Sequence, residues 1–388
     1  MLTLAKTPAH RLVCGAVLLL LAGSASAEVL GPAVSVQFGP DGRLWRVTPY
    51  AERVEVDHSG DRGRSFSAPV AVGPPGQVVR AQPEGRPEIL ATADGRVFVS
   101  WAVDDGGRPA LRVAWSEDGG QGFSAPVAVP ATVSPPPQLR GHLHEDPAGQ
   151  VRLFWIDPMD LAGDPAREPG GALYVATLPP AAGTGLLPQR LSGLVCECCR
   201  LATASAADGT PLLFGRFVFP GSERDPALLR LTGTGGMPVL QRTSIDGWEL
   251  AACPDHGPAL AVAGGRQHLL WFTQGRARQG LFHAYMDDGD QAVSMPLPVG
   301  ERGRLAGHGD VLAAGDTVVL AWRQFDGRVA SVHVMVSRDR GESFGEPRLL
   351  AEASGATDYP FLHAADGIAW LSWSSRQHGW QLLEVTAL

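Results

Sequence analysis

The feature that most constrains this chain is a short turn that comes back seven times. Asp-Gly or a near equivalent begins at Asp41, Asp94, Ala148, Asp208, Gly264, Gly315 and Asp366, at intervals of 53, 54, 60, 56, 51 and 51 residues. Seven residues past the turn start stands a tryptophan in five of the seven cases: Trp101, Trp155, Trp271, Trp322 and Trp373. Thr48 and Gly215 hold the other two places. A fixed period in the fifties points to one repeated supersecondary unit, not to two or three unrelated domains.

Within a unit the text reads as strands. In Arg86–Val129, RPEILATADGRVFVSWAVDDGGRPALRVAWSEDGGQGFSAPVAV, four short apolar or alternating runs are cut by DG, DDGG and EDGGQG. Gly and Asp tolerate the positive φ that tight hairpins demand. No stretch has the period of a helix of useful length. Four short strands per unit predict an all-β chain, a β-propeller of four-stranded blades. Seven blades match the seven units; six is the alternative, with the unit near Ala148 as an irregular insertion. The last unit, Tyr359–Leu388, has room for three strands only. An open sheet edge invites aggregation, so Val29–Val36 is expected to supply the missing outer strand.

The N-terminus predicts the compartment. Lys6 and Arg11 precede the apolar run LVCGAVLLLLAG (Leu12–Gly23), and Ala25-Ser26-Ala27 follows as a small-x-small cleavage site. This is the pattern of a secretory signal peptide, too short for a membrane anchor. The expected organisation is a signal peptide over 1–27 and a single propeller domain over 28–388, periplasmic or secreted. Losing Lys6 and Arg11 takes the formal charge from −8 to −10. Such a balance disfavours nucleic acid and anionic membranes as partners. No second apolar run approaches the length of a membrane span. Lys6 is the only lysine, which excludes Schiff-base chemistry in the mature chain and leaves arginine as its fixed cation.

Three units carry a further pattern between their third and fourth runs: SGDRGRSF (Ser59–Phe66), SEDGGQGF (Ser116–Phe123) and SRDRGESF (Ser337–Phe344). These resemble the Asp-box, S-x-D-x-G-x-T-F/W, of the sialidase-like (BNR-repeat) β-propellers. The middle copy departs from the pattern with Gly122 where Ser or Thr is usual. The resemblance implies that Asp61, Asp118 and Asp339 accept turn N–H groups, that Gly63, Gly120 and Gly341 take positive φ, and that Phe66, Phe123 and Phe344 pack beneath. It speaks to fold, since the box lies away from the family's active centre. VCECCR and DGWELAACPDHGPALA also look like segments of a bacterial exported branch of these proteins, marked by a CxCC motif. Sialidases proper have six blades, and seven units are counted here.

In a propeller the innermost strand of each blade lines the channel, and its first residues form one mouth. Eight residues before each turn start stand Ala33, Arg86, Arg140, Arg200, His256, Gly307 and Asp358, with His308 one place on. Arg86, Arg140 and Arg200, with Asp358 and Tyr359, are thus the candidate ligand-binding residues. Family sialidases clamp a substrate carboxylate with three arginines. The alternative is that these arginines pair with Glu88, Glu145, Glu197 or Asp358 and close the channel. The resemblance also implies a Tyr nucleophile, a partner Glu and an Asp acid/base. Of the four tyrosines only Tyr359 starts an inner strand, and the arginine-isoleucine-proline stretch of the family is absent, so no catalytic residue is assigned.

The remaining signal is sulfur. Cys196, Cys198 and Cys199 stand in four consecutive positions before the fourth inner strand, and Cys253 precedes the fifth. Removal of Cys14 with the signal peptide leaves these four. Three readings stay open: one or two disulfides, the easiest joining Cys253 to one of the three; a soft-metal site; or redox exchange. Thiolates suit Cu(I) or Zn(II), and His256 and His308 are the candidate imidazole ligands, with copper favoured. The expected function is an exported binding protein with a metal site at the channel mouth. The alternatives are a sialidase-like glycosidase or sugar-acid-binding lectin, and a scaffold that binds another exported protein.

Overall fold

The computed structural model describes residues 29–130, 140–157, 170–181, 184–231, 238–250, 252 and 254–388. The expected signal peptide and Cys253 lie outside them. The described residues form 28 β-strands and two 3-10 turns, with no α-helix among them. The strands fall into six antiparallel sheets. The largest, eight-stranded, spans the third and fourth sequence units, and each of the others lies within one unit, so the strands form seven groups by unit.

The first group shows the plan. Ser35–Phe38, Leu44–Tyr50, Arg53–Ser59 and Val70–Val72 pair in chain order. The repeated turn joins the first strand to the second: Gly42 donates its N–H to the Gly39 carbonyl at 2.9 Å, with φ at +77°. Across the chain the strands that lead into the repeated turn, taken as the first of each group, are Ser35–Phe38, Glu88–Ala91, Gly141–Glu145, Ala202–Ser205, Ala259–Ala263, Gly307–Ala314 and Phe361–Ala365. In the second group Val78–Arg80 comes earlier and pairs with the same Val97–Asp104 strand. Each of the seven first strands lies against the next in that order, and Phe361–Ala365 lies against Ser35–Phe38. Their N-terminal ends therefore converge around one axis.

The five repeat tryptophans occupy equivalent places. Each sits on the second strand of its group and is at most 1% exposed. Each packs into the apolar cluster shared with the preceding group: Trp101 with Val47 and Val54, Trp155 with Leu111 and Val113, Trp271 with Phe214 and Leu228. Trp322 and Trp373 do the same further along. Burial of one indole removes roughly 150–250 Å² from water, so the repeat is the seam between sheets written into sequence. The fourth group departs for a steric reason. Its Gly215 lies where a Cβ would come within 2.7 Å of the Leu201 side chain. There Val195 pairs directly with Phe217, which joins the third and fourth groups into one eight-stranded sheet.

The three Asp-boxes close the same seams from outside. Asp61 Oδ1 accepts the Ser65 N–H at 2.9 Å, Asp118 Oδ1 the Gly122 N–H at 3.0 Å, and Asp339 Oδ1 the Ser343 N–H at 2.9 Å. Gly63, Gly120 and Gly341 have φ of +80°, +83° and +81°. Each of these glycines faces a ring of the preceding group: Trp380, Trp45 and His268 respectively.

The last sheet has three strands, Phe361–Ala365, Ile368–Ser375 and Gly379–Ala387. The segment Val29–Val36 does not complete it. Val29 bridges Tyr50, and Ser35 and Val36 belong to the innermost strand of the first group. The reason is apolar burial: Val34 and Val36 pack with Leu44, against which Trp380 and Leu382 of the last sheet also lie.

Candidate functional site

The converging strand ends bring residues of four other groups onto Glu84, a residue that sequence reasoning passed over. Glu84 sits in the 3-10 turn Pro83–Gly85, just before Arg86. Its carboxylate is fully withdrawn from solvent. Oε1 accepts the Gly257 N–H at 2.9 Å and Arg200 Nη1 at 3.3 Å, and Oε2 accepts the Arg200 N–H at 3.4 Å. His308 Nδ1 stands 3.8 Å from Oε1. Burial alone would raise the pKa of Glu84; the guanidinium of Arg200, then His308 and Arg140, reverses this and holds it far below the usual carboxylate range. Gly257 makes this approach possible, since a Cβ there would lie 2.1 Å from Arg200 Cγ. The punctuation P-E-G ahead of an inner strand was the available signal.

The three candidate arginines converge on this mouth, and each is engaged. Arg86 grips Asp358 with both terminal nitrogens, one bond at 3.0 Å, and lies over the Phe361 ring. Arg140 pairs with Asp255 at 3.2 Å and donates to the Glu84 carbonyl. Arg200 serves Glu84 and also donates to the Gly309 carbonyl at 3.0 Å. Of the four acidic partners considered from sequence, Asp358 is used; Glu88 instead meets His142 Nδ1 at 2.9 Å. Burial raises Asp358 to about 6 against the opposing pull of Arg86.

His256, His308 and Tyr359 form a column with Phe272. The ring centroids are 4.2 Å apart for Phe272–His256, 3.9 Å for His256–His308 and 3.7 Å for His308–Tyr359. His308 enters it from a left-handed backbone conformation, φ +49°, at the bulge between Gly307 and Asp310. Burial, then His308, lowers His256 to about 4, so its imidazole is neutral at pH 7. Burial pushes the Tyr359 hydroxyl up, with Glu84 adding to it. A tyrosine nucleophile needs the opposite.

The sulfur cluster stands beside the column. Cys196 Sγ is 3.6 Å from Cys198 Sγ and 3.5 Å from Cys199 Sγ. All three cysteines are free and at most 2% exposed. Their sulfurs lie within 4.8 Å of one another, and among the described residues no histidine nitrogen joins that set. His256 and His308 are therefore neighbours of the cluster and spend their faces on stacking. Hydrogen bonds from Cys198 and then Cys199 pull Cys196 well below the ordinary thiol range, with Arg216 and Arg224 assisting. Cys196 donates its N–H to the Arg216 carbonyl at 2.8 Å. Arg216 in turn donates to the His256 carbonyl at 3.3 Å, which ties the cluster to the mouth.

No family model matches this chain, and no curated protein does. Solved structures do. The polysaccharide lyase Uly1 aligns with a TM-score of 0.56 at 10% identity, over 92% of this chain and 90% of that one. An α-L-arabinanase of Penicillium chrysogenum, complexed with arabinobiose, aligns at 0.52 and 10% identity, over 92% and 94%. The Hadza microbial sialidase Hz136 aligns at 0.49 and 12% identity, over 92% of this chain and 65% of its own length. At such identities the likeness is one of fold: the chain is an all-β propeller.

Proposed function

We propose that this protein is an exported, seven-bladed, sialidase-like propeller that binds a soft metal ion, Cu(I) before Zn(II), through Cys196, Cys198 and Cys199 at its channel mouth. The reading rests on one observation: three free, buried sulfurs within 4.8 Å of one another. Three buried thiols in a chain destined for an oxidising compartment call for a ligand that keeps them reduced. Three thiolates around Cu(I) carry two net negative charges. Arg216 and Arg224, each 3% exposed, supply two positive ones beside Cys196. Zinc in a structural site takes four ligands, whereas Cu(I) accepts a thiolate set of lower coordination. The order in which the seven turn-leading strands neighbour one another, with the last against the first, supports the seven-bladed reading.

The test is metal content and thiol titration on protein from the exported fraction, followed by Cu(I) competition against a chelator. The reduced wild type is expected to bind one Cu(I), and Cys196→Ser with Cys198→Ser to lose it while keeping the β-sheet spectrum. Wild-type protein that takes up neither copper nor zinc when reduced overturns the reading.

A further inference from the structure

We propose that the pocket between the fifth and sixth strand groups binds a small carboxylate-bearing ligand, its acid group held by Arg323 and Arg302. The pocket has a volume of about 380 Å³, in the range of small-molecule sites. Its wall includes Arg323, Arg302, Gln274, Gln279, Phe272 and Phe325. It opens beside the mouth, since His256 and His308 also line it.

Arg323 carries the argument. The other arginines of the mouth, Arg86, Arg140 and Arg200, each hold a carboxylate. Arg323 does not: its Nε is donated to Thr357 Oγ1 at 3.0 Å, and its two terminal nitrogens have no carboxylate partner among the described residues. It is partly buried on the second strand of the sixth group, and that burial lowers its pKa with only Tyr359 opposing. A desolvated guanidinium without a counter-ion is costly, and an anion restores the balance. Arg302, exposed at the rim in the 3-10 turn Arg302–Arg304, has no acidic partner among the described residues either; the nearby Glu301 goes to Arg304 at 3.3 Å. Each guanidinium presents the planar N–H fork that suits a carboxylate, and both line the same pocket. Gln274 and Gln279 add amides for hydroxyl groups, and Phe272 and Phe325 add flat apolar faces. A sugar acid has all three features.

The experiment uses full-length mature protein, with glucuronate and glucose as probes in ligand-observed NMR and calorimetry at low salt. Glucuronate is expected to bind at least about tenfold more tightly than glucose, the worth of one charge-assisted pair. Arg323→Gln is expected to remove about tenfold of that affinity, and Arg302→Gln several-fold. Because Arg302 is exposed, its variant keeps the fold even if Arg323→Gln does not. Cys198→Ser is expected to bind glucuronate as the wild type does, which separates this site from the sulfur cluster. Equal affinity for the two sugars, no glucuronate binding, or an Arg302→Gln variant indistinguishable from wild type overturns the proposal.

Discussion

Arg200 and Glu84 stand 116 residues apart in the chain and meet by two routes, the Arg200 N–H onto Oε2 and its guanidinium onto Oε1. One carboxylate thereby joins a turn before the second inner strand to the start of the fourth. Through Gly257 and His308 it reaches the fifth and sixth as well.

Replacing Glu84 with Gln is expected to destabilise the protein by about 3 kcal/mol, because it leaves Arg200 buried without its partner. Urea denaturation at pH 7 measures this. Arg200→Met in the same background should recover part of the loss. A Glu84→Gln variant as stable as wild type would remove Glu84 from its central place.

Stability should fall on mild acidification. Burial lowers His144, His256, His268 and His363 to about 4, and His283 to about 3. Their ordinary value is about 6.5. Between these limits the unfolded chain binds the protons and the folded chain does not. The contribution is thus complete above about pH 6.5 and is lost as pH falls toward 4. Each histidine adds a slope of about 1.4 kcal/mol per pH unit. Asp358, raised to about 6, works in the opposite sense: above its ordinary value near 4 its ionisation costs the folded state. Urea midpoints measured from pH 7 to 5 should drop by more than one histidine accounts for.

The two adjacent glycines of the middle Asp-box, Gly119 and Gly120, should respond differently to alanine. Gly119 and Gly120 both have positive φ, +71° and +83°. A Cβ at Gly119 meets nothing within 4 Å, while one at Gly120 comes within 2.6 Å of the Trp45 ring. Gly119→Ala should cost about 1 kcal/mol from backbone strain alone. Gly120→Ala should cost 1–2 kcal/mol more, roughly the penalty for overpacking. Thermal melts of the pair settle whether the box works as a clasp between sheets.

No efficient release of a fluorogenic sialoside is expected from the purified protein. The Tyr359 ring lies against His308 and its hydroxyl pKa is raised. Tyr359→Phe keeps that stack and should leave stability within about 0.5 kcal/mol of wild type. Tyr359→Leu should lose about 1 kcal/mol of aromatic pairing. Rapid hydrolysis that disappears in Tyr359→Phe would restore the enzyme reading.

The turns, the tryptophan spacing and the Asp-boxes were legible because each is local: a hairpin needs its Gly, and a seam needs its indole at a fixed distance from that Gly. The mouth was half legible. Counting back from the turns found Arg86, Arg140, Arg200, His256 and Asp358, since strand length is regular within units. Of their partners Asp358 was among those considered, but Glu84 was missed, because it reaches across the axis and no spacing encodes a contact over 116 residues. Arg323 was hidden for a different reason. It lies on a second strand beside Trp322 and reads as an alternating polar position until its missing counter-ion is seen in three dimensions.

The three-stranded last sheet carries a consequence for how the molecule breathes. Among the described residues no strand of the first sheet pairs with the last sheet; the two meet by side chains, as in Arg62 with Asp366 at 2.8 Å and Phe66 against Trp380 at 5.7 Å. Side-chain contacts open more readily than ladders of peptide hydrogen bonds. Amide protons along Gly379–Ala387 should therefore trade with solvent ahead of those in Thr317–Phe325, which has a partner on both sides. The seam between the first and last sheets would part early, and an isotope label would be seen entering there.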